Sequence, residues 1–370
     1  MILIPVALGS GASAIFSDPD TPVSVDISAD FDLIGSIGSR FQKRSPFSSN
    51  GFLKIGSTQY PAVIRPRGNS RIDYCEGMKP LRVKFSLGAP TFGPLKGINK
   101  KLKIVTHCNL NPDTIQPWIG LSPNEVVLME FYRYRVSQIL LGEDSFQVKL
   151  AAANYHSLEG KKVSYGNAIL LESVSDIASR LGGNIIGADE LVPIEDWEIW
   201  PKLRDKPKWF IKKSVYHQRR FRYVKKLIGS ELDLFKTLVD LYIPARVLRA
   251  SGDLTIRDNN EAFLVKGVIH FVPYDYDLDS HAWFGRESKY TEVDDDKWYP
   301  KYLGSHLIKL NVSDQQKAKV YTRAKIKNAL GKILSAQKYI GSTGFRLSEK
   351  IIKVMEGTRV YYLKLMSDLE

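Results

Sequence analysis

Residues 271–281 read FVPYDYDLDSH, with Asp275, Asp277 and Asp279 at every second position behind an apolar run. On a strand, residues i, i+2 and i+4 share a face. This stretch therefore aims three carboxylates one way, an arrangement that repels itself unless something positive sits among them. Asp253 lies 22 residues before Asp275, and Asn259 and Asn260 stand between the two. Aspartates and asparagines with no histidine form a hard-oxygen set, suited to Mg²⁺ or Mn²⁺ rather than zinc. A calcium loop starting at Asp275 is excluded, because Ser280 and Arg286 occupy the places that require Gly and Glu. Nothing signals a sugar cleft for a glycosidase pair. The plainer alternative has these acids cap turns and pair with Arg257 or Arg286.

The elements that must position these groups are legible as patterns. From about residue 23 to 105 the chain is β-like. FLKIGSTQYPAVIRPRG reads as two strands about a Gly-Ser turn, PLRVKFSL alternates cleanly, and KLKIVTHC is a further strand. The segment 122–142 predicts a helix, with Ser122 as its cap, Pro123 at its first position, Glu125 completing a capping box and Gly142 ending it. Two strands follow, in FQVKLAAANY and GNAILLES. Helices are predicted over 173–182, 229–250, 312–340 and 347–367, interrupted by the hairpin-like AFLVKGVIHFVP. The hairpin would bring the Asp253 loop and the Asp275 loop together. This order of parts suits phosphoryl transfer: a strand lysine (Lys84 or Lys103), the helix acid Glu130, the segment ILLES with Glu172 where the chain turns helical, and then the carboxylates and amides that hold a metal and orient a hydroxyl. Arg67-Gly68-Asn69-Ser70 is either a phosphate-facing turn or a tight turn that needs Gly and Asn.

Composition bounds the setting. The 370 residues are 44% apolar and 25% charged, enough for a sizeable core in one large domain or two lobes. No apolar run reaches membrane-spanning length. The net charge of +13 is uneven: residues 201–228 hold eleven Lys or Arg and one acid, while the first 39 residues hold five Asp and no Lys or Arg. With aromatics interleaved, 201–228 is either a solvated helix face or a dock for an anionic partner, nucleic acid being the least favoured. Residues 1–14 read as the remnant of a secretory signal, ending Ala12-Ser13-Ala14. The rival reading, a dinucleotide loop from Gly9 to Ala14, is excluded by Pro19 and Pro22, which stop the helix it requires. Export to the periplasm or outside the cell is therefore expected, and with it a bridge between the two cysteines, Cys75 and Cys108. His107 beside Cys108 is not a catalytic pair, since adjacent strand residues face opposite ways.

IRPRGNSRIDYCEGMKPLRVKF, KLKIVTHC, YGNAILLES, the GD…NN loop and PYDYD together resemble the spore coat protein H family of atypical, secreted kinase-like proteins, and more closely a bacterial branch of it. The resemblance covers roughly 60–285 and implies a protein-kinase-like, two-lobed α+β fold. It implies a β-rich N-lobe over 23–172 and a mainly helical C-lobe over 173–370, with the metal-binding hairpin at 251–281. It further implies ATP binding with Mg²⁺ or Mn²⁺ and phosphoryl transfer to a protein or other hydroxyl acceptor. Carried over by position, Asp253 is the catalytic acid, Asn259 or Asn260 the metal amide, and Asp275, with Asp277 as its neighbour, the metal acid. Glu130 is the helix acid, and Lys103 is preferred to Lys84 as the lysine. Arg67, Asn69, Lys84 and Glu172 would face the cofactor. The chain departs from a kinase pattern in lacking a glycine-rich loop and a His-Arg-Asp triplet, and Asp258 stands where the metal Asn usually falls. An inactive kinase-like protein that docks an anionic partner through 201–228 is the alternative.

Overall fold

The computed structural model describes residues 13–39, 42–68, 72, 75, 77–115, 120–186, 227–247, 260–266, 268–273 and 307–369. The chain divides into two units, Met1–Gln138 with Ser145–Gly182, and Ile139–Asp144 with Gly183–Glu370.

In the first unit, alternation of apolar and polar residues produces seven strands, β1 (Val23–Ser28), β2 (Ser49–Ile55), β3 (Thr58–Pro66), β4 (Leu81–Phe85), β5 (Lys101–Val105), β6 (Val148–His156) and β7 (Lys162–Leu171). A short helix, α1 (Phe31–Gly35), follows β1, and Asp30 caps it through the Leu33 N–H at 2.9 Å. The strand order is β1-β2-β3-β4-β5-β7-β6, and β6 returns to pair with β1, so the sheet closes into a barrel. The closing pair is parallel, with Val25 opposite Ala153, while the other neighbours are antiparallel. Every second side chain points inward. Val25, Ile27, Leu53, Ile64, Val83, Leu102, Ile104 and Leu170 fill the interior, with the small Ala151 and Ala153 on β6 and Ala168 on β7. Full burial of each large aliphatic side chain contributes about 1.5–3 kcal/mol. At the start of β2 the backbones meet closely: a Cβ on Gly51 would lie 1.9 Å from the Ser28 carbonyl oxygen.

Closure overturns the expected protein-kinase-like, two-lobed fold. An N-lobe of that kind is an open sheet with two edges. Here β1 is paired on both sides, to β2 and to β6, and the core lies inside the barrel. The strands themselves fall where their alternation predicts.

Two further helices belong to the described residues here. α2 (Pro123–Leu141) carries the predicted capping box: the Ser122 N–H donates to Glu125 Oε2 at 2.8 Å, and the Glu125 N–H donates to Ser122 Oγ at 3.3 Å. The last residues of α2, from Ile139, belong to the second unit. α3 (Val174–Leu181) is capped by Ser173 and Asp176 reciprocally and stopped by Gly182 at φ 64°. Cys75 and Cys108 are disulfide-bonded, as expected.

The second unit contains β8 (Asn184–Ile185), α4 (Glu231–Val247), β9 (Asn260–Val265), β10 (Val268–Pro273), α5 (Val312–Ser342) and α6 (Ser348–Asp368). The strands form a small sheet in the order β10-β9-β8. α5 buries Ala318, Thr322, Ile326, Ala329, Ile333, Ala336 and Ile340, a stripe at spacings of three and four, and packs on α4 and α6. Pro244 stands inside α4, and the Tyr362 hydroxyl donates to the adjoining Ile243 carbonyl at 2.7 Å. No helix among the described residues is long and apolar enough to cross a membrane.

Candidate anion-binding site

β3, β4 and β5 are consecutive antiparallel strands, and their register fixes which outward residues become neighbours. Arg65 stands opposite Arg82, and Arg82 opposite Lys103. Their chain neighbours Ile64, Val83, Leu102 and Ile104 are buried in the barrel, so the three cations share its outer face. One rung along, Lys84 stands opposite Lys101. Arg67 follows β3 and is held by its own N–H, which donates to the Pro80 carbonyl at 2.7 Å. Arg44 reaches the same end, donating through Nη2 to the Gly68 carbonyl at 2.7 Å.

The electrostatics follow from this crowding. Burial, then repulsion from Arg65, Arg67 and Arg44, pushes the Arg82 guanidinium down to about 10. Burial and the charges of Arg65 and Arg67 lower Arg44 as well. Like charges directly opposite on a sheet are destabilising. Guanidinium groups present planar, paired N–H donors that match the oxygens of phosphate and carboxylate. The arrangement can therefore hold an anion carrying several charges.

The sequence-predicted residues fall in different places. Arg67, Lys84 and Lys103 belong to this face, and the Lys103 ammonium also sits 4.8 Å from the centre of the Phe146 ring. Glu130 is buried on α2. Glu172 is buried at the end of β7, where it pairs with Arg180 at 2.7 Å and accepts the Gln147 N–H at 2.6 Å. Burial pushes its carboxyl up to about 7 against the opposing pull of Arg180. Asn260 opens β9 opposite Pro273, so the chain segments before residue 260 and after residue 273 leave the hairpin at the same end. Asn69, Asp253, Asn259, Asp275 and Asp277 lie outside the described residues, as do residues 201–226 of the basic segment and 1–12 of the expected signal remnant. Among the described residues no three His, Cys, Asp or Glu side chains are grouped to hold a metal.

Arg44, Arg65 and Arg82 were not singled out by the sequence reading. The signal was present as three i, i+2 pairs of cations, Arg65/Arg67, Arg82/Lys84 and Lys101/Lys103, in consecutive predicted strands. A second grouping has no such signal. His107 Nε2 lies 3.1 Å from Ser164 Oγ, which itself donates to the Leu110 carbonyl at 2.8 Å. With the serine proton committed to that carbonyl, His107 is the donor to the hydroxyl. Burial pushes the imidazole down to about 4, with the Asn109 backbone and the charge of Asp113 opposing weakly. A neutral, buried histidine that donates to serine is a structural bolt and not a general base. No protein-family model and no curated protein matches the chain.

Proposed function

We propose that the barrel unit binds a phosphate-bearing ligand on the outer face of β3, β4 and β5, with Arg82 as the central contact. The row Arg65, Arg82 and Lys103, joined at one end by Arg67 and Arg44, carries the reading. A half-buried guanidinium among like charges gains most from an anion that it can grip through two N–H groups. The narrower reading is phosphoryl transfer from ATP with Mg²⁺ or Mn²⁺ to a protein or other hydroxyl acceptor. It is supported by the register of the β9–β10 hairpin, in which Asn260 stands opposite Pro273, two residues before Asp275 in the sequence. The Cys75–Cys108 bridge is consistent with export to an oxidising compartment.

Calorimetric titration of pyrophosphate and ATP, each with and without Mn²⁺, into the wild type, Arg82→Gln and Asp275→Ala tests both readings. Metal-free binding of both anions that weakens about tenfold or more in Arg82→Gln is expected, corresponding to the loss of one charge-assisted pair. Additional Mn²⁺-dependent ATP affinity that disappears in Asp275→Ala would support transfer. A folded wild type that binds neither anion overturns the proposal.

A further inference from the structure

The second unit contains a cleft of about 220 Å³ that the sequence motifs did not foretell. Its apolar wall comes from Leu140, Leu241, Ile243 and Phe271. The polar rim comes mainly from α5, where Lys325, Asn328 and Lys332 fall at helical spacing and face the same opening. An apolar cavity of about 150 Å³ holds benzene, so this one has room for a ring with a polar substituent.

The rim sets Lys325, Lys332 and His270 beside Asp240 and Asp144. Lys325 is matched to Asp240 at 2.8 Å, and the other oxygen of Asp240 accepts the Tyr321 hydroxyl at 2.7 Å. His270 Nδ1 is matched to Asp144 at 2.7 Å, a contact that favours the imidazolium. Lys332 remains. It donates to the Leu140 carbonyl at 2.6 Å, and among the described residues no carboxylate lies within ion-pair distance of it. Its ammonium has three N–H donors, and one is used. A half-buried ammonium at the mouth of an apolar cleft, which feels the charge of Asp144 without pairing with it, has two N–H donors left to offer an anion.

We infer that this cleft binds a small organic monoanion, a carboxylate with an apolar body, whose carboxylate pairs with Lys332 and whose body lies against Leu140, Leu241, Ile243 and Phe271. The acids Asp144 and Asp240 repel a second negative charge, so a dianion is disfavoured.

Ligand-observed fluorine NMR on the full chain decides it, with 4-fluorobenzoate as the probe and neutral 4-fluorobenzamide as its isostere. The benzoate is expected to bind the wild type at least tenfold more tightly than the benzamide does. It should bind Lys327→Gln, which alters an exposed neighbour on the same helix, as it binds the wild type. Lys332→Gln should lose at least tenfold, and Lys332→Arg, which keeps the charge, should retain most of the affinity. Equal binding of the two probes to the wild type overturns the inference, whatever the variants do. Undiminished benzoate binding by a folded Lys332→Gln also overturns it, as does no benzoate binding to the folded wild type.

Discussion

His107 gives the barrel unit a pH dependence whose size follows from its burial. In the unfolded chain the imidazole titrates near its ordinary value of about 6.5. In the folded unit it is 2% exposed and is pushed down to about 4 by burial. Between these values the unfolded state binds a proton that the folded state refuses. The contribution of His107 is therefore fully present above about 6.5 and is lost as pH falls toward the folded value. Integrating across that window, the unit loses about 2 kcal/mol between pH 7 and pH 5, and about 3 kcal/mol by pH 4. Carboxylates also titrate in this range, so the informative quantity is the gap between the wild type and His107→Gln. A glutamine amide can still donate to Ser164 Oγ but cannot take up the proton. Hydrogen exchange of peptides covering β5, β6 and β7, corrected for intrinsic rates, reads the opening free energy of this unit alone. The variant is expected to be the less stable of the two at pH 7, and the gap is expected to shrink by about 2 kcal/mol at pH 5. A gap that stays constant from pH 7 to pH 5 refutes the reasoning, and so does an imidazole NMR titration of His107 with a midpoint near 6.5.

Two further predictions concern the same unit. Arg180→Met leaves the Glu172 carboxyl buried without its cation, and chemical denaturation is expected to find about 3–5 kcal/mol lost, with Glu172→Gln added in the same chain recovering most of it; a single-variant loss below about 1 kcal/mol would show that the pair is not what satisfies that corner. The Cys75–Cys108 bridge spans a sequence separation of 33. On the chain-entropy account its replacement by two serines costs about 4 kcal/mol, and an unchanged denaturation midpoint would count against that bridge as a constraint on the unfolded chain.

Local chemistry made much of this protein legible. Ser122 and Glu125 announce the start of α2 because the cap needs a hydroxyl and, three residues on, a carboxylate. The Gly56-Ser57 turn separates β2 from β3 where the alternation breaks, and Gly56 has the positive φ, 58°, that a tight turn there requires. The apolar stripe of α5 is visible as spacings of three and four. Each of these signals lies within a few residues, and so does the interaction that produces it.

The sequence determined which residues form strands and helices, which face of each is apolar, where the caps fall, and that cations recur two residues apart at the end of β3 and within β4 and β5. It did not determine who neighbours whom. The same linear order of strands, helix, strands and hairpin fits an open lobe and a closed barrel, because alternation specifies a buried face and not a partner. Tertiary structure decided that β1 lies beside β6, more than a hundred residues away, which closes the sheet. It also decided that Arg65, Arg82 and Lys103 fall in register as one row, that His107 is buried against Ser164, and that Lys332 stands at a cleft with one hydrogen bond. The physical reason is common to all four. A strand register and a burial depth are set by the summed packing of segments far apart in the chain, whereas a cap or a turn is settled by the residues that make it.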